Sequence, residues 1–321
     1  MNSDVRFLQI PMSNATHVTL ADLIAMRLRA RRFARPAARV AGSHAATHVS
    51  RFRGRGVDYV ESRAYQPGDD IRQMDWRVTA RTGRPHTKLF QEEREQSILL
   101  IIDANPSLRF GTRVRFKSVQ AARTAALLAW AAVQGGDRIG ALGFGPGLNA
   151  EVKPGGGPRG ALRVLRALTQ WDAIAASGGA MVPLSQALQR AHRLARPGSR
   201  VILLTDGFAA DAAAESPLSL LAEHCDVAAV LLSDALELAA PPPARYALRS
   251  DSGRVVLDFA AARTRARWPQ LFAERREAMI GMLNRRALRW TSLDTHTEPD
   301  AALTRLLGLD RRARTVATRP A

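Results

Sequence analysis

The sequence predicts a doubly wound α/β fold, and three observations carry that prediction. Two continuous apolar runs, SILLIID (97–103) and RVILLTDG (200–207), each reach an aspartate. Such runs read as strands buried on both faces of a sheet. Helical segments alternate with these strands and with weaker ones, which is how a parallel sheet is wound with helices on both sides. Turns such as Gly135-Gly136 and Arg196-Pro197-Gly198-Ser199 punctuate the joins.

The elements follow in order. Residues 1–18 show no strong period and are expected to fray. Residues 19–33 place Leu20, Leu23, Ile24 and Leu28 at helical spacing, with Thr19 or Asp22 to cap the start. The basic far end of this helix (Arg27, Arg29, Arg31, Arg32) admits a membrane-surface role, but docking on the main domain is the preferred reading. Residues 36–56 read as a loop in which His44 and His48 are solvated, not metal ligands. After the strand at 97–103, RVRFKSVQAARTAALLAWAAVQ predicts a helix. Its first half shows a polar face at Lys117, Gln120 and Arg123, and its second half is apolar all round and so deeply placed. Strands are predicted at 137–145, at the sheet edge over 149–154, at 226–234 and over RWTSLDT (289–295). Helices are predicted from GGGPRGALRVLRAL, at 183–195, over DAAAESPLSLLAEH, at 269–286 and over PDAALTRLLGL. Residues 244–259 read as a hairpin turning at Asp251-Ser252-Gly253. The tail RRARTVATRPA reads as disordered. The expected division is an N-terminal extension over 1–95, β-rich or irregular, an α/β domain over 96–310 and a basic tail over 311–321.

Composition narrows the function classes. The formal net charge of +18 brings an anionic partner into consideration. Only Lys88, Lys117 and Lys153 are lysines among 47 Lys and Arg, and the arginines are spread along the chain. A dedicated nucleic-acid surface clusters its charge, so none is expected. The single Cys225 excludes an intrachain disulfide and suits a reducing compartment. No apolar run approaches the ~18 residues of a membrane span. The start MNSDVRFLQIPMSN lacks the basic and apolar regions of a signal peptide, and a cytoplasmic location is expected.

The chemistry-bearing candidates lie at strand ends. In a parallel sheet the carboxyl ends share one rim, where ligands bind. Asp103 and Asp206 are therefore expected to face the same crevice. In D-A-N-P-S, Asn105 and Ser107 follow Asp103 at i+2 and i+4. Asp103, Asn105, Ser107 and Asp206 together form a hard-oxygen set of the kind that holds Mg²⁺. Equally, the two aspartates can merely cap the helices that follow, through bonds to free N–H groups. GGGPRG (155–160) lacks the Lys and Ser/Thr of a P-loop, and no G-x-S-x-G, H-E-x-x-H or cysteine pair is present. A metal-assisted hydrolase built on Asp103 and Asp206 would need a nearby base, and His192 and His224 fall on or beside helices expected to lie away from the rim.

Arg55-Gly56-Val57-Asp58, then RAYQPGDDIRQMDWRVTARTGRPHTKLFQEERE, then the strand and D-x-N-x-S-x-R-F-G resemble the domain-of-unknown-function 58 family. The resemblance is dense over 51–145 and weaker but ordered over 183–258. It implies a von Willebrand factor A-like domain with a metal-ion-dependent adhesion site at the sheet rim. It also implies partnership with MoxR-type AAA+ ATPases and other A-domain proteins in assembling or activating complexes. The chain departs from the adhesion-site pattern at Asn105, and at GAMVPL, where Met181 and Val182 stand in place of an expected threonine. Those losses imply a weaker Mg²⁺ site.

In RAYQPGDDIRQMDW, Pro67-Gly68-Asp69 is a turn signature, and Asp69 or Asp70 can cap the turn toward Trp76. Arg63, Arg72, Arg77 and Arg81 are placed to pair with Asp69, Asp70 and Asp75. The preferred reading is a bidentate ion-pair network folded against the sheet with Trp76 as its anchor, and the alternative is an interaction surface. The leading functional expectation is a non-enzymatic interaction module. A metal-dependent hydrolase and a basic nucleic-acid-binding protein are the alternatives.

Overall fold

The computed structural model describes residues 5–6, 15–34, 57–66, 69–92, 95–250 and 253–309. The expectations for His44, His48, Arg55, Gly56, Pro67, Gly68, the turn residues Asp251 and Ser252, and the tail fall outside them. The chain divides into two compact units, one formed by 1–34 with 96–321 and the other by 35–95. The first 34 residues therefore group with the α/β unit, and the expected boundary at 95 closes only the smaller unit.

In chain order the elements are β1 (Val5–Arg6), α1 (Leu20–Ala30), β2 (Val57–Ala64), α2 (Trp76–Thr82), β3 (His86–Glu92) and β4 (Ser97–Asp103). Next come α3 (Lys117–Gln134), β5 (Arg138–Gly145), β6 (Leu148–Gly155), α4 (Gly157–Ala175), α5 (Leu184–Leu194) and β7 (Arg200–Thr205). Then follow α6 (Glu215–His224), β8 (Asp226–Ser233), α7 (Ala235–Leu238), β9 (Arg245–Ser250) and β10 (Gly253–Asp258). The last are α8 (Ala262–Arg267), α9 (Gln270–Arg285), β11 (Arg289–Asp294) and α10 (Asp300–Leu306).

The larger unit is built on a six-stranded sheet of order β11-β8-β7-β4-β5-β6. Its strands run parallel except β6, which pairs antiparallel with β5 at the edge. Strand order reverses at β4, so the crevice beside β4 and β7 is where a ligand site is expected. Alternation along β4 explains the two cores. Leu100 and Ile102 face one layer with α1, α3, α4 and α10, while Leu99 and Ile101 face the other with α5, α6 and α9. Each fully buried leucine contributes roughly 2 kcal/mol of transfer free energy, which is why the centre of β4, Leu99 to Ile102, carries no polar residue. Most of the apolar second half of α3, including Ala125, Ala126, Leu127, Ala129 and Trp130, is buried as predicted. Its small side chains let α1 and α4 approach closely. The predicted helix at 19–33 docks here, with Thr19 as N-cap and the Trp130 indole donating to Leu23 O at 3.1 Å. Its arginines are partly engaged, since Arg29 and Arg32 pair with Asp300.

A smaller sheet of order β1-β9-β10 contains the predicted hairpin. A chain of edge-to-face rings runs from it through Tyr246, Phe259, Trp268 and Phe272 to Phe208 at the sheet rim. Such ring pairs add to burial and hold their helices in a fixed orientation. The 35–95 unit contains the antiparallel pair β2-β3 with α2 and a short 3₁₀ turn at Ile71–Gln73.

Candidate functional site: an ion-paired acidic rim

The parallel strands β4, β7, β8 and β11 each deliver an aspartate at or just beyond their carboxyl ends: Asp103, Asp206, Asp234 and Asp294. Asp103 and Asp206 share one mouth, as expected. Thr205, immediately before Asp206, donates its hydroxyl to Asp103 Oδ2 at 2.6 Å. Asp103 Oδ1 accepts from the Asn105 backbone at 3.0 Å and from Asn105 Nδ2 at 2.8 Å. Asp206 Oδ1 accepts from Phe208 N at 3.0 Å. Both aspartates thus close i to i+2 turns and bond free N–H groups, but neither is the N-cap of the helix that follows, as the alternative had it. Gly207 makes the second turn possible, at φ +84°, where a Cβ would lie only 3.1 Å from Met279 Cβ.

The centre of the rim is a lysine. Lys117 opens α3, is 0% exposed, and donates to Asp206 Oδ2 at 2.7 Å and to Glu237 Oε1 at 2.5 Å. Its ammonium lies 5.0 Å from the Phe208 ring and 5.9 Å from the Phe110 ring. A cation at the first position of a helix opposes the helix dipole. Here two carboxylates outweigh that cost. Burial alone would lower the Lys117 pKa, but Asp206 and Glu237 overcome it and hold the pKa above the ordinary lysine value. Burial pushes the Glu237 carboxyl up, against the pull of Lys117. Burial first, and the Asp206 charge second, raise Asp103 to about 7.

The lysine is aimed by the loop before it. Lys117 N bonds Phe110 O at 2.8 Å, closing 110–117 on itself, and Gly111 is required because a Cβ there would lie 2.1 Å from Arg115 O. The same loop is pinned by Asp234, which accepts from Thr112 N, Thr112 Oγ1 and Thr295 Oγ1 at 3.0, 2.5 and 2.6 Å. Asp234 also forms a capping box with Glu237 on α7, so one residue positions both the loop and the acid that reaches Lys117. Although buried, Asp234 is held below the usual carboxylate range by these donors.

The expected Mg²⁺ set fits poorly. Asn105 does not offer its amide oxygen to the mouth, because Oδ1 accepts from Val182 N at 2.8 Å. It thereby holds the hydroxyl-free 181–182 segment in place of the expected threonine ligand. Ser107 Oγ is buried without a hydrogen bond and is the one donor of the four left unengaged. Asp103 is 1% exposed, and the void beside it and Asn105 measures only about 20 Å³. Asp206 is already paired with an ammonium. A divalent ion ~4 Å from that ammonium would meet roughly 8 kcal/mol of repulsion at the effective dielectric of a protein site, twice the ~4 kcal/mol of a unit pair.

Sequence reasoning placed Lys117 on a polar helix face and did not assign Lys117, Glu237 or Asp234 to the site. One signal was available for Lys117, a lysine kept in a chain that otherwise uses arginine almost throughout. For Glu237 the local signal was the Asp234-x-x-Glu237 capping-box spacing, which marks a helix start but not its reach to Lys117.

In the smaller unit, Arg63 pairs with Asp69 at 2.7 Å. Asp69 is held low first by the Gln66 N–H and also by Arg63. Asp70 accepts from Arg72 N at 2.9 Å, capping the 3₁₀ turn. Asp75 caps α2 through Val78 N at 3.1 Å and accepts from Ser62 Oγ at 2.6 Å. Arg72 and Arg81 are exposed and form no ion pair among the described residues. The acids thus serve largely as backbone caps, because short turns leave N–H groups that side-chain oxygens satisfy. Trp76 is 64% exposed, so it does not serve as a packed anchor.

A mixed doubly wound sheet, helices on both faces and an acidic carboxyl rim define a doubly wound α/β domain. The chain belongs to the family described as protein of unknown function DUF58, whose model matches residues 61–278. The uncharacterized proteins Mb1516 of Mycobacterium bovis and Rv1480 of Mycobacterium tuberculosis are 33% identical to it over 213 residues. The match spans 66% of this chain and 66% of the length of each relative. Among solved structures, the pilus adhesin SpaC from Lactobacillus rhamnosus GG matches at 13% identity and TM-score 0.36, over 70% of this chain and 31% of that one. A von Willebrand factor type A protein from Catenulispora acidiphila matches at 14% identity and TM-score 0.30, over 60% and 44%.

Proposed function

We propose that this chain is a non-enzymatic protein-interaction module that works with a MoxR-type AAA+ ATPase to assemble or activate another complex. The carrying observation is a groove of about 290 Å³ on the rim, between α7 and α9. Its lining includes Phe208, Leu238, Phe272 and Ile280, with Asp206 and Glu237 also present. Leu238 is 41% exposed there, and Trp268, just before α9, ties itself to α7 by donating to Leu236 O at 2.7 Å. Apolar walls around a few fixed polar groups suit a partner side chain. The MoxR-type partner, other A-domain proteins and a cytoplasmic setting come from the sequence resemblance and composition.

Two features weigh against the alternatives. A hydrolase needs an acid free to act as base, whereas Asp103, Asp206 and Glu237 are held by protein donors. A nucleic-acid surface draws on unpaired clustered cations, and part of the positive charge here is already engaged, since Arg29, Arg115 and Arg123 converge on Glu298, and Arg200 and Arg289 on Asp226.

The test is titration of a purified MoxR-type ATPase from the same organism against wild type and Leu238→Glu. Binding weakened tenfold or more by the substitution is the expected result. Unchanged affinity would remove the groove from the proposal, and Asp103-dependent phosphoester turnover would replace the module with an enzyme.

A further inference from the structure

We infer that Lys117 is the resident cation of this rim, a tethered ammonium standing in for a divalent metal, so that the site works without Mg²⁺. Three observations carry the inference. First, all six oxygens of Asp103, Asp206 and Glu237 already have a protein donor. Asp103 takes three bonds from Asn105 and Thr205, Asp206 takes Phe208 N and Lys117, and Glu237 takes Lys117 and Asp234 N. Second, the ammonium is built in. It is 0% exposed, flanked by two aromatic faces, and fixed at a helix start by the closed Gly111 loop and the Asp234 network. Third, of the side chains that would have completed a metal shell only Ser107 is left unengaged, while Asn105 has other partners and the threonine is missing. Asn105 bonds the 182 backbone through both amide atoms, and positions 181 and 182 carry no hydroxyl.

A fixed monovalent donor differs chemically from Mg²⁺. It offers no open coordination position, so no partner carboxylate can complete a metal shell at this rim. Partner contact through the groove is then insensitive to chelators. Metal uptake alone tests this role of Lys117, so its failure is distinguishable from a failure of the groove as a docking site.

The experiment measures Mn²⁺ binding by electron paramagnetic resonance, with Mg²⁺ competition, on full-length wild type, Lys117→Ser and Lys117→Met/Glu237→Gln. Wild type is expected to bind no Mn²⁺ that Asp103→Asn removes, and its Tm is expected to be equal in EDTA and in millimolar Mg²⁺. Lys117→Ser, with a carboxylate pair released and the side-chain volume vacated, is expected to bind one Mn²⁺ and to gain Tm from it. The double variant, with one fewer acid, keeps the measurement possible if the single one does not fold, and it is expected to bind one Mn²⁺ per chain with a weaker Kd than Lys117→Ser. One equivalent of Asp103-dependent Mn²⁺ in wild type would overturn the inference. So would folded Lys117 variants that bind none, because Lys117 would then not be what excludes the metal.

Discussion

Lys117 Nζ lies 2.7 Å from Asp206 Oδ2, joining the first residue of α3 to the residue that follows β7 across 89 positions of sequence. Neither side chain is more than 1% exposed, and Glu237 completes the group from α7. Removing one member of such a buried set costs more than the set contributes, because the remaining charges stay desolvated.

Lys117→Met is therefore expected to lower unfolding free energy by roughly 3–5 kcal/mol in urea denaturation. Lys117→Arg should be nearly as harmful, since a planar guanidinium with five donors does not fit where a compact ammonium meets two acceptors. The Lys117 contribution is fully present below its ordinary pKa, because the folded value is raised. It is lost only as pH rises through that raised value. An Arg variant as stable as wild type would show that the pocket does not select for lysine.

Asp103 gives a second pH dependence of opposite origin. Its folded pKa is raised from 3.8 to about 7, chiefly by burial. Between those values the folded protein keeps a proton that the unfolded chain has released, so stability falls as pH rises and levels off above the folded value. Asp103→Asn should remove this slope. The measurement is the Tm difference between wild type and variant at matched ionic strength across that window, and parallel curves would count against the assignment.

Asp234 holds Thr112, Thr295 and the start of α7 at once. Asp234→Ala leaves several buried donors unpaired at ~1–3 kcal/mol each, so a loss of roughly 2–4 kcal/mol is expected after partial relaxation. Hydrogen exchange should report the consequence locally, as faster exchange at 110–117 and 234–238. Faster exchange spread evenly over the unit would argue that Asp234 does not position the loop.

Gly207 occupies φ +84° directly after Asp206, with Met279 closing the space a side chain would need. Gly207→Ala is expected to cost roughly 1–2 kcal/mol from the left-handed conformation alone. Ala and Asn at this position separate the two causes, because Asn tolerates the conformation better but is larger. A Tm order of Gly above Asn above Ala would identify backbone strain as the main cause.

The sequence by itself determined the alternation of strands and helices, because burial on two faces demands continuous apolar runs, and length and flanking turn signals separate such strands from a buried helix like the second half of α3. It also placed Asp103 and Asp206 at one mouth, since parallel strands share a carboxyl end. The edge strand β6, the hairpin and the docked helix α1 were legible from periodicity and turn chemistry for the same reason. Only the tertiary structure decided what those acids hold. Lys117, Asp206, Asp234 and Glu237 come from different elements, and whether an ammonium or an open mouth faces Asp206 depends on how a loop closes at Gly111. Trp76 and the acids at 69–75 show the same limit in the smaller unit, where charge and aromatic content suggested an anchored network but local backbone N–H groups took the carboxylates. Period and composition report which face of an element is buried, whereas a polar site is set by distances between elements that sequence spacing does not encode.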